Sequence, residues 1–89
     1  MSVRLRMFAR AREAAGTSEA NVDAGATLRD VLDDACERFG AEFTAVLARS
    51  RVWVNGDDAV DGDATVLHDG DEVAILPPVS GGGGGGPAT

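Results

Sequence analysis

The chain has no lysine: all eight of its basic residues are arginine. Without an ε-amine its side chains offer no acceptor for an isopeptide bond, so it cannot form side-chain-linked polymers of itself. Cysteine is nearly absent as well. Cys36 stands alone, which excludes an internal disulfide, offers no zinc-ligand spacing and fits a reducing compartment. Long apolar runs are also missing. Val73-Ala74-Ile75-Leu76 is four residues and no run is longer, far short of the ~20 needed to cross a bilayer. Near the N-terminus, arginines interrupt the apolar residues and leave no signal-peptide core; the expected location is the cytoplasm.

Positive charge is in deficit overall, with a net charge of −7 over 89 residues. Nucleic acid and anionic membrane surfaces both demand a cationic partner, so neither is expected. The balance points instead to protein partners with basic docking surfaces. Apolar residues at 44% and charged residues at 26% fit a soluble globular chain. Its length allows one domain, near the lower limit for a self-sufficient core.

Stand-alone chemistry finds little support. No nucleophile and base occur together in a recognisable pattern. His68 precedes a turn without a second metal ligand at a workable spacing. Asp57, Asp58, Asp61 and Asp63 resemble a calcium loop only superficially, because the closing bidentate glutamate and the spacing are absent; they read as solvated turn residues. Cys36 falls on an apolar helix stripe and reads as a small core side chain. The expectation is no metal, no bound cofactor and no active site of its own.

Taken in order, Val3-Arg4-Leu5-Arg6-Met7 alternates apolar with charged, which predicts a half-buried strand with Val3, Leu5 and Met7 inward. Phe8 then falls on the outward side. Ala9 to Ala15 predicts a two-turn helix ended by Gly16, and Thr17 to Val22 a second strand. Ala24-Gly25-Ala26 reads as a turn. Thr27 reads as the N-cap of the main helix, Leu28 to about Phe39, with Asp30 placed for the helix dipole. Leu28, Val31, Leu32, Ala35, Cys36 and Phe39 form its apolar stripe. Asp34 and Arg38 form an i,i+4 pair on the other face, and Gly40 ends the helix. Ala41 to Ala48 permits a short helix with Phe43, Val46 and Leu47 apolar. Arg51 to Val54 reads as a strand before an Asn55-Gly56 turn, and Asp71 to Leu76 as the last strand, with Ala74 and Leu76 outward. The fold class is α+β: a mixed sheet of four to five strands packed on one main helix. If the first and last strands are neighbours, Phe8 and Leu76 form an apolar patch where the tail leaves, and such patches mark docking surfaces.

Three stretches carry a resemblance: Phe8-Ala9-Arg10-Ala11-Arg12-Glu13-Ala14-Ala15-Gly16-Thr17, the Asn55-Gly56 turn, and Asp69 through Leu76 into Pro77-Pro78-Val79-Ser80-Gly81-Gly82. Together they resemble the ubiquitin-like β-grasp sulfur carriers of the MoaD and ThiS type, above all the small subunit of molybdopterin synthase. The resemblance covers residues 1–82 and implies a domain over 1–80 with a flexible glycine-rich tail over 81–89. It implies a carrier rather than an enzyme. An E1-like adenylyltransferase would use ATP to adenylate the terminal glycine carboxylate, which then becomes a thiocarboxylate. The large subunit of molybdopterin synthase would receive the sulfur. Gly82 corresponds to the activated glycine and Gly81 to its partner. Phe8 and Leu76 match positions that present apolar side chains to those partners. Pro77 and Pro78 stiffen the exit, and Val79 and Ser80 continue the arm. Glycine suits the chemistry, because a backbone without Cβ atoms fits a narrow channel.

One departure matters. The chain continues through Gly83–Gly86 to Pro87-Ala88-Thr89, so Gly82 ends in an amide where a carboxylate is needed. Removal of residues 83–89 by a processing peptidase would supply it, and exposed tails are good substrates for cutting. Two other readings stay open: a ubiquitin-like modifier joined to lysines of other proteins through Gly82, and a binding module that keeps its tail. Within the carrier reading, sulfur for cysteine or thiazole synthesis is an alternative to molybdopterin.

Overall fold

The computed structural model describes residues 2–23, 27–59 and 61–78. The Ala24-Gly25-Ala26 turn, Val79, Ser80, Gly81, Gly82, the extension 83–89 and the domain boundary after residue 80 lie outside them. Strand β1 spans Val3–Met7, helix α1 Ala9–Ala15, β2 Glu19–Val22, α2 Leu28–Phe39, α3 Ala41–Leu47, β3 Arg51–Val54, β4 Asp57–Asp58 and β5 Glu72–Leu76, with a short 3-10 turn at Gly62–Ala64. The sheet order is β2-β1-β5-β3-β4. β1 and β5 pair in parallel and every other neighbour pair is antiparallel. This is a mixed five-stranded α+β fold of the ubiquitin-like β-grasp kind.

Alternation in the strands does what the residue pattern predicts. Val3, Leu5, Met7, Val73 and Ile75 are buried on one face of the sheet, while Arg4 and Arg6 face solvent. The main helix lays Leu28, Val31 and Ala35 against that face, flanked by half-buried Leu32, Cys36 and Phe39. Its start is a reciprocal capping box: the Thr27 hydroxyl accepts from the Asp30 amide, and the Asp30 carboxylate accepts from the Thr27 amide. Two otherwise orphaned donors are thereby satisfied. The Arg38 guanidinium reaches Asp34 at 3.4 Å, as the i,i+4 spacing predicts.

The main helix alone does not cover the sheet, and the two short helices expected at Ala9–Ala15 and Ala41–Ala48 share that work. Five strands at about 4.8 Å spacing make a sheet roughly 20 Å wide, about twice the ~10 Å diameter of one helix. Helices α1 and α3 fill the remainder with fully buried Ala11 and Phe43, and the Phe43 ring meets Phe39 with centroids 5.1 Å apart. Gly40 lets α3 follow α2 directly, because its φ of 97° turns the chain in a region L side chains rarely adopt.

Two strand boundaries move inward from the expected ones, both for local hydrogen-bonding reasons. Thr17 is drawn into a turn in which its hydroxyl bonds the Glu19 backbone, so β2 starts at Glu19. Asp71 is claimed by its own turn: its carboxylate accepts from the His68 amide at 2.7 Å and from the Asn55 side-chain amide at 3.1 Å. The Asn55-Gly56 turn has both residues at positive φ, 52° and 87°, the geometry that joins tightly twisted strands. Asn55 then ties the hairpin to β5, since its side-chain oxygen accepts from the Glu72 amide.

Candidate functional site

Because β1 and β5 run in parallel, their C-terminal ends reach the same pole of the sheet. The register pairs Met7 with Ile75, and the Phe8 amide continues the ladder by donating to the Ile75 carbonyl at 3.3 Å. Phe8 and Leu76 therefore emerge side by side on the face turned away from the helices. Ala9, at a φ of 49°, turns the chain into α1 immediately afterwards. That reversal leaves the Phe8 ring on the surface, 39% exposed. The ring is not bare, since the Arg6 guanidinium lies 5.4 Å from its centroid and is itself held by Glu72 at 3.2 Å.

The two prolines divide their roles. Pro77 is buried and Pro78 is exposed, so Pro77 packs on the body and fixes the direction of exit, while Pro78 offers most of the surface. A Pro–Pro pair has two restricted φ angles and little freedom to fold back. Leu76 is half-buried. Val79, Ser80, Gly81 and Gly82 continue from here and lie outside the described residues.

Two features were not anticipated. The first is Trp53, whose register partner Ala74 is an outward residue of β5, so the indole shares the open sheet face. Its Nε1 is buried with no hydrogen-bond partner among the described residues. The signal was present in Arg51-Val52-Trp53-Val54: with Val52 and Val54 packed on the core, period two turns Trp53 outward. The second is a groove of about 490 Å³ on the helical side of the exit. Ala45, Val46 and Ala48 of the α3 end, Arg10, Arg49 and the two prolines line it. No periodicity announces it, because it forms between three segments distant in the chain.

The remaining candidates are placed plainly. Cys36 is half-buried on the sheet-facing side of α2. His68 is exposed, with Nδ1 3.8 Å from Asp71. Asp63 faces Arg29 at 3.4 Å, and Asp57 and Asp58 are exposed in the short edge strand. Among the described residues no helix is long and apolar enough to cross a membrane.

The family model described as ThiS family matches this chain over residues 5–82. The chain belongs to the ThiS family. Relatives within reach of it carry two kinds of name. Small archaeal modifier protein 3 of Haloferax volcanii is 38% identical, over 92% of this chain and 100% of that protein. The molybdopterin synthase sulfur carrier subunit of Drosophila erecta is 33% identical, over 92% of each chain. Among solved structures, the small archaeal modifier protein SAMP1 from Haloferax volcanii superposes with a TM-score of 0.80 at 30% identity, covering 90% of this chain and 98% of that one. Membership of the ThiS family makes the chain a ubiquitin-like sulfur carrier.

Proposed function

We propose that this carrier is the small subunit of a molybdopterin synthase and works through Gly82 after residues 83–89 are removed. In the first step the freed Gly82 carboxylate attacks the α-phosphate of ATP on an E1-like adenylyltransferase, forming an acyl-adenylate and releasing pyrophosphate. A sulfur nucleophile then displaces AMP to leave the thiocarboxylate. The large synthase subunit takes the sulfur from it. The carrier supplies no general acid or base and needs no bound cofactor; ATP belongs to the activating partner. Its place would be the cytoplasm, where such partners and a processing peptidase are met.

The observation that carries this reading is the extent of the family match, which runs to residue 82 and leaves the last seven residues outside it. The parallel β1–β5 pair supports it, since that pairing sets Phe8 and Leu76 beside the exit for docking. The test compares the full chain with a variant ending at Gly82, each incubated with an E1-like enzyme, ATP and a sulfur donor, and read by intact mass. The shortened form should gain the thiocarboxylate and the full chain should not. Equal charging of both would remove the processing step from the proposal.

A second reading has a specific observation in its favour: the similarity to small archaeal modifier protein 3. As a modifier, Gly82 would form an isopeptide bond with a lysine of another protein, its own chain having none. Recovery of lysine-linked glycine remnants from native cells separates the modifier from the carrier.

A further inference from the structure

The net charge of −7 conceals a sorted distribution. Of the eight arginines, Arg4, Arg6, Arg29 and Arg38 are in ion pairs with Glu19, Glu72, Asp33 with Asp63, and Asp34 respectively. Among the described residues Arg10, Arg12, Arg49 and Arg51 have no such partner. All four sit at the pole where the tail leaves. Arg10 and Arg12 belong to α1, which links the end of β1 to the start of β2. Arg49 follows α3, and Arg51 pairs in register with Leu76. The opposite pole holds the turn residues Asp57, Asp58, Asp61, Asp63, Asp69 and Asp71.

The groove beside the exit combines this charge with apolar surface. Arg10 and Arg49 line it together with Val46, Ala48, Pro77 and Pro78. Free guanidinium groups flanking an apolar slot recognise carboxylates bidentately while the slot takes a hydrocarbon side chain.

We propose that this groove docks a protein surface that is acidic and carries one protruding apolar side chain, contributed by the partner that receives the tail. The sign is the reverse of what the total charge suggests. Over a Debye length of about 8–10 Å the field met by a docking surface is that of the nearby groups, and here those are the four arginines against two acids, Glu13 of α1 and Glu42 of α3. The distant aspartates repel the same acidic partner and so favour a tail-first approach. A polyanion such as single-stranded nucleic acid is disfavoured, because it spans both poles and would need stacking platforms, whereas the Phe8 ring has the Arg6 guanidinium 5.4 Å from its centroid. The inference rests on the carrier reading only for naming the partner as the one that takes the tail; the groove and its arginines stand without it.

The test uses the full chain, labelled with nitrogen-15, and three probes: the peptide acetyl-EELFEE-amide, its basic counterpart acetyl-KKLFKK-amide, and single-stranded oligothymidylate. The acidic peptide should shift the amides of Arg10, Ala45, Val46, Ala48 and Arg49, and added salt should weaken it. The double reversal R10E/R49E should weaken it by about tenfold or more. Because reversal risks the fold, R10Q/R49Q is run beside it, with spectral dispersion as the check, and should give a smaller loss of the same sign. Shifts centred on the Asn55 and Asp71 turns, tighter binding of the basic peptide or of oligothymidylate, or a response indifferent to both variants would each overturn the proposal. None of these readouts involves thiocarboxylate formation. A chain that binds the acidic peptide but is never charged at Gly82 would leave the groove intact and remove the carrier mechanism.

Discussion

Around Asn55 and Asp71, at the end of the sheet opposite the tail, polar groups are used up inside the fold. The Asp71 carboxylate holds the His68 amide and the Asn55 side chain, Asn55 holds the Glu72 amide, and Asp69 accepts from the Ser2 amide at 2.8 Å. At the tail end Phe8 is exposed, and among the described residues the arginines beside the groove are without an ion-pair partner. Groups that a fold leaves unsatisfied are available to a partner, while those it has paired mainly hold register. The two poles therefore differ in purpose: one closes the hairpins that align β5, and the other presents what β5 delivers.

The largest expected effect probes the core beneath both poles. Phe43→Ala removes a fully buried ring and should cost about 3–5 kcal/mol in urea denaturation, a large share of the roughly 5–15 kcal/mol that holds a domain together. Because Phe43 sits on the helix that carries the groove residues Ala45 and Val46 and leads into Ala48 and Arg49, hydrogen exchange should rise first in α3 and at the tail pole. A loss below about 1 kcal/mol would mean that α3 is a surface cover, not part of the core.

Asn55→Ala acts at the satisfied pole alone. It deletes two side-chain hydrogen bonds and forces alanine into a positive-φ position, for an expected cost of about 1–2 kcal/mol. Peptide binding at the groove should stay unchanged. A drop in binding with the fold intact would show that the hairpin governs the tail pole through β5, and the comparison would lose its force.

Much of this was legible in the sequence because local chemistry and global packing agree. The strict alternation of Val3-Arg4-Leu5-Arg6-Met7 and the three-four spacing from Leu28 to Phe39 placed a strand and a helix to the residue, and Asn55-Gly56 announced its own turn. Phe8 and Leu76 were found on one face by the same reasoning. What escaped depends on contacts between segments far apart in the chain. Pro77 reads as a stiff exit residue, and its burial comes from packing that the local sequence does not show. Trp53 gains its place from pairing with Ala74. The groove needs Arg10, Arg49 and Pro78 brought together. Charge was misleading in the same way, since a total of −7 says nothing of where the unpaired arginines collect.

The smallest expected effect concerns acid. Asp71 is held below the ordinary aspartate range, first by the His68 backbone amide, then by the Asn55 side chain, against a small opposing effect of burial and with a lesser contribution from the His68 charge. A carboxyl with a depressed folded-state pKa adds stability above its unfolded pKa. That contribution is lost as pH falls through the folded value, because the protonated acid no longer favours the native state. Asp71→Asn should therefore lower stability near neutral pH and flatten the acid side of the stability–pH curve. The side chain is 20% exposed, and screening by solvent keeps the effect modest. Asp71 lies at the pole opposite the groove, so Asp71→Asn should leave the acid dependence of probe binding unchanged. If Asp71→Asn also changed the pH dependence of binding, the closing turn and the presenting end would share one electrostatic network, and the two poles could not be assigned separate purposes.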